Sequence, residues 1–150
     1  MSNETVRTTL NQMLYKYAAQ RGDILGKIQD CRIVLDDAEA NLKRAHEDDR
    51  RAIHDDDQLV TKMRDLMAYY NSLPNDPPRP QALLEQHAEM GREQLGTHRK
   101  RIAAHEVVSD ATHTLEDAKR ELAIAERDEK TISERIRETN AEIERLNQEP

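Results

Sequence analysis

A chain of 150 residues with no Phe, no Trp, 36% hydrophobic and 35% charged residues can bury a stripe but not a thick interior, which excludes a globule with a deep core. The formal charge of -7 is spread in mixed-sign runs rather than gathered into a basic face, so nucleic acid is disfavoured as a partner. Apolar runs extend for only a few residues and the opening MSNETVRTT lacks the basic region and apolar core of a signal peptide, so a soluble, cytoplasmic protein without membrane insertion is expected.

From Ser2, a suitable helix N-cap, the first arm carries one ladder of alternating four- and three-residue steps. It runs from Leu10, Leu14 and Tyr17 through Ile24, Ile28, Cys31, Leu35, Ala38, Leu42, Ala45 and Ala52 to Leu59, Met63, Leu66, Tyr70 and Leu73. Cys31 lies on that ladder and, as the single cysteine, reads as a small buried hydrophobe. The arm spans 2–73, because Pro74 cannot donate to a helical ladder and pushes the residue before it out of helical geometry. Residues 74–80 hold four of the five prolines and form the turn, with Pro80 suited to the first turn of a second arm over 80–148. The Pro77-Pro78-Arg79-Pro80 run also has the form of a minimal polyproline ligand, but a rigid turn accounts for the same residues.

In the second arm the apolar residues suggest a ladder of Leu84, Ala88, Gly91, Leu95, His98, Ile102 and His105. It continues through Val108, Ala111, Leu115, Ala118, Leu122, Ala125, Glu129, Ile132, Ile136, Thr139, Ile143 and Leu146. Two consecutive three-residue steps near His105 interrupt the heptad, a stammer that would overwind the pair locally. The expected fold is all-α: one long antiparallel two-helix coiled-coil hairpin, with self-association into a four-helix bundle as one further level.

If the chain reverses at Pro77, facing positions have numbers adding to about 154, so Tyr70 meets Leu84 and Leu59 meets Leu95. Past the stammer the pairing slips by one, so that Leu42 meets Ala111 and Leu10 meets Ile143. Polar residues on the seam then find opposite partners: Asp56 with His98, Asp49 with His105, and Arg21 with Glu129 about one turn out of line. The block Asp55, Asp56 and Asp57 lies across from Arg99, Lys100 and Arg101.

Chemistry is thin. His98 and His105 are one heptad apart, ~10 Å along a helix, too far for a shared metal ion. The chain has no P-loop, no paired CxxC, no GxSxG and no Gly-rich dinucleotide turn, so the expectation is no enzyme, no metal and no cofactor. The Asp–His pairs read as register devices, with sensitivity to pH as the function they could still serve.

Beside the seam near the turn, Ile53, Val60 and Met67 on the first arm and Leu83 and Met90 on the second form another apolar track, wider than one antiparallel helix covers. These five residues are the candidates for docking either a second hairpin or a different protein. The whole-chain two-helix plan, with MAYYNSL over 67–73 running into the turn, resembles the stalk proteins of flagellar and type III secretion export machines. That resemblance implies arms that insert into an ATPase ring and couple it to an export gate. The expected function is a non-enzymatic structural or interaction protein within an assembly; the alternatives are a small chaperone-like or regulatory module that masks a partner helix, or a self-associating bundle.

Overall fold

The computed structural model describes residues 2–149, and among them there are two helices and no strand: α1, Asn3–Ser72, and α2, Gln81–Gln148. The two pack against each other as a helical hairpin, the all-α architecture expected.

Each helix end follows from its residues. The Ser2 hydroxyl accepts the Thr5 N–H at 3.2 Å and the Ser2 carbonyl accepts the Val6 N–H at 3.1 Å, which caps α1 and opens its ladder. At the other end the Leu73 N–H turns back to the Tyr70 carbonyl at 3.3 Å, and Pro74 forbids another turn, so α1 stops at Ser72, one residue before the expected limit. The Pro80 carbonyl accepts the Leu83 N–H at 3.3 Å, so Pro80 stands as the residue before α2 rather than as its first member. The Asp76–Pro77 peptide is cis.

Arg79 completes the α1 terminus. Its Nε donates to the Leu73 carbonyl at 2.9 Å and its Nη2 to the Asn71 carbonyl at 3.4 Å, taking up acceptors that a helix end leaves open. Its guanidinium also lies 5.3 Å from the centre of the Tyr70 ring. The run read as a turn therefore contains its own clasp.

The hairpin divides into two compact units, one pairing the residues up to Ala38 with those from Leu115 onward, the other formed by Glu39–Thr114. In the first, the buried side chains are Ile28 and Ala38 on α1 with Ala118, Ala125, Ile132, Thr139 and Leu146 on α2, the α2 set recurring every seventh residue. Arg7 Nη2 reaches the Leu146 carbonyl at 3.5 Å and Arg21 Nε donates to Glu129 Oε1 at 3.2 Å, so α1 and α2 run antiparallel here.

The second unit, which carries the turn, buries only Ala45 and Asp56 to a comparable degree. Its α1 ladder is the expected one, with Asp49, Ala52, Leu59, Met63, Leu66 and Tyr70 all half-buried. The α2 ladder is different. Half-buried Leu83, His87, Met90, Gln94, Thr97, Arg101, Ala104 and Val108 form alternating four- and three-residue steps that continue without interruption into Ala111, with Leu84 and Gly91 half-buried beside them. The expected stammer is absent, and Ala88, Leu95, His98, Ile102 and His105 are exposed. Hydropathy favoured Leu95 and Ile102 over their neighbours Gln94 and Arg101, but buried Asp56 selects polar partners. The seam therefore follows the hydrogen bonds.

In the turn-bearing unit Asp56 meets Thr97, one residue from the expected His98.

Candidate protein-docking face

Asp56 organises the α2 surface of the turn-bearing unit. Only 3% exposed, its Oδ1 accepts from the Thr97 hydroxyl at 2.8 Å and from Gln94 Nε2 at 3.1 Å, while its Oδ2 accepts from Arg101 Nη1 at 3.2 Å. The same Arg101 nitrogen stands 3.4 Å from Asp57 Oδ1. The Thr97 hydrogen bond holds the Asp56 carboxyl below its ordinary range; burial opposes this, and Gln94 and Arg101 reinforce it. Three donors fixed on α2 thus set the rotation of that helix about its axis.

That rotation decides what is left outside. Leu95 is 57% exposed and Ile102 48%, seven residues apart on one face with Ala88 and His98. The face lies one residue on from the seam, a rotation of ~100°. Half-buried Gly91 and Leu84 form its inner edge, where a Cβ on Gly91 would stand in ordinary contact with Met63 Cε at 3.8 Å. Across on α1, Val60 is 44% exposed while Ile53 and Met67 are half-buried. The ladder assigned to the seam from hydropathy is therefore an outward one, and the unit has two ladders on one helix.

Among the docking candidates named from the sequence, Ile53, Val60 and Met67 border this face, whereas Leu83 and Met90 occupy seam positions and are half-buried. Leu95 and Ile102 replace them on the outside. The uninterrupted series from Leu83 through Met90 and Ala104 to Val108 was the available signal, since it needs no stammer.

The polar pairs divide. Arg21 and Glu129 are joined at 3.2 Å, and the Ser133 hydroxyl, donating to Glu129 at 2.7 Å, is the first cause that lowers the Glu129 pKa, with Arg21 second. His98 Nδ1 lies 4.0 Å from Asp56 Oδ2, but the imidazole is 54% exposed and Asp56 is already held by three other donors. No hydrogen bond or ion pair joins Asp49 to His105 among the described residues, and Asp49 Oδ1 is buried without a hydrogen-bond partner. One-offset registration explains this: position 49 is level with Ala104, and His105 points to the outward ladder. Of the Asp55–Asp57 block, Asp56 and Asp57 meet Arg101, and Asp55 lines a shallow groove with Lys100, Arg51 and Thr97.

Among the described residues no group of three His, Cys, Asp or Glu side chains is placed to hold a metal ion, and no helix is long and apolar enough to cross a membrane. What the arrangement offers is an exposed apolar ladder on α2 beside a polar seam. Set against protein-family models, curated proteins and solved structures, the chain matches none of them.

Proposed function

We propose that this chain is a non-enzymatic docking protein, a coiled-coil hairpin whose turn-bearing unit presents an apolar helix face to another protein within an assembly. One observation carries the reading: Leu95 and Ile102 stand outside at heptad spacing while Gln94, Thr97 and Arg101 occupy the seam. The exchange satisfies buried Asp56, but it leaves the apolar area of Leu95 and Ile102 in water, a cost that the isolated hairpin carries. A partner that covers the face recovers it. The resemblance to secretion-ATPase stalks is compatible with this role, because a stalk also works by contact with other components.

The test compares a tagged chain with its Leu95→Glu, Ile102→Glu variant, co-purified from the native source. Both positions are exposed, so circular dichroism of the variant should keep its full helix signal. The reading expects a component, whether an untagged copy or a different protein, that the parent retains and the variant loses. Identical co-purification by both chains would refute it.

A further inference from the structure

The occupant of this face can be named from the charges around it. Resting on the docking reading above, we infer that the face pairs with a second copy of this chain, the two hairpins lying parallel with their turns at the same end.

The geometry starts from the contact of Asp56 with Thr97, which sets heights along the unit. In a pair related by a two-fold axis along the helices, α1 of one copy meets α2 of the other at those same heights. Moving four residues up α1 from 56 to Val60 moves four down α2 from 97, to a level between Gly91 and Leu95. By the same count Met67 falls between Leu84 and Ala88, and Ile53 between His98 and Ile102. Each α1 side chain thus enters a gap between two members of the outward α2 ladder, which is knobs-into-holes packing at the heptad spacing. Symmetry makes this contact twice, closing a four-helix bundle.

The exposed charges on the outer flanks test the pairing independently. On α1 these are Arg50, Asp57 and Arg64; on α2 they are Glu85, Arg92, Arg99 and Glu106, all exposed. Apart from Asp57, which meets Arg101, none of them has an ion pair among the described residues. In the parallel arrangement Asp57 falls between Arg92 and Arg99 of the second copy. Arg50 and Arg64 each fall between an arginine and a glutamate, Glu106 and Glu85 respectively. No position on this flank meets only its own sign.

The alternative, two α2 helices packed antiparallel about Leu95, also aligns the apolar ladder. It sets Arg92 against Arg99 of the second copy, twice, and Glu85 against Glu106, twice. Like charges at such flanks disfavour an orientation, so the parallel pair is selected.

The experiment is light scattering and sedimentation equilibrium on the purified full chain over a concentration series at low salt, with circular dichroism to confirm helix content. A dimer is expected. The Asp57→Arg chain and the Arg92→Asp, Arg99→Asp chain should each self-associate at least ~10-fold more weakly. Their equimolar mixture should return to the parent affinity, because each interface then joins opposite charges. A parent chain that stays monomeric throughout overturns the second-copy assignment, while the docking face is judged by its own co-purification test. A dimer that Asp57→Arg leaves unweakened overturns the parallel arrangement.

Discussion

The α2 rotation is tested most directly by truncating one side chain from each ladder, Leu95→Ala against Ile132→Ala. Either change removes three carbons, worth ~2.4 kcal/mol when fully buried at ~0.8 kcal/mol per methylene. Leu95 keeps less than half of its area out of water, being 57% exposed, so its truncation should cost ~1 kcal/mol or less and leave no cavity. Ile132 is 4% exposed, and the loss of its side chain adds a cavity term, for a total of ~3 kcal/mol. The two sites lie in different units, so native-state hydrogen exchange is the suitable assay: amides flanking each site report local stability separately. It should be run at a dilution where the chain is monomeric, since association would add to the Leu95 value. A Leu95 cost equal to that of Ile132 would mean that position 95 faces α1, and would reinstate the ladder read from hydropathy.

Three further outcomes follow from the polar seam. Asp49→Leu should raise stability by ~1 kcal/mol in urea unfolding, because it removes a buried oxygen with no hydrogen-bond partner and adds apolar contact; a loss of stability would show that Asp49 has a partner. In a double-mutant cycle Asp56 should couple strongly to Thr97 and Arg101, weakly to His98, and Asp49 should not couple to His105 beyond ~0.5 kcal/mol. The pH dependence has a definite sign: the Asp56 and Glu129 pKa values are depressed by folding, so their stabilisation is complete above the ordinary carboxylate range and is lost as pH falls through the folded values. Thermal melts of the parent should therefore decline in acid, and Asp56→Asn should flatten that decline; an unchanged acid profile in the variant would remove Asp56 as its source.

Much of the hairpin was legible because periodicity and proline chemistry act locally. Ser2 caps, Pro74 stops, and the α1 ladder from Leu10 to Leu73 coincides with the positions that the fold shelters. The α2 rotation was not legible from hydropathy, because two ladders one residue apart compete there and the more apolar one is the outward one. What decides between them is a buried carboxylate on the other helix. A single Asp56 outweighs Leu95 and Ile102, since leaving a buried charge without donors costs more than leaving two aliphatic side chains partly wet. The Arg79 clasp is not legible in the sequence for a related reason: its acceptors are main-chain carbonyls, which no side-chain pattern displays.

The competition between ladders can itself be reversed. If Asp56 is what turns α2, then Asp56→Leu together with Gln94→Leu, Leu95→Gln, Arg101→Ile and Ile102→Arg places apolar residues on the seam and polar ones outside, with composition nearly kept. Replacing a hydrogen-bonded buried carboxylate and its partners by packed hydrophobic side chains is commonly neutral or stabilising. The redesigned hairpin should therefore be at least as stable as its parent in urea, yet fail to bind whatever the outward ladder binds. Stability and association then move in opposite directions, a result that separates a surface kept for contact from a seam that is merely poorly packed. A redesign that lost both together would mean that Asp56 specifies the hairpin itself, and that Leu95 and Ile102 are exposed only as a consequence.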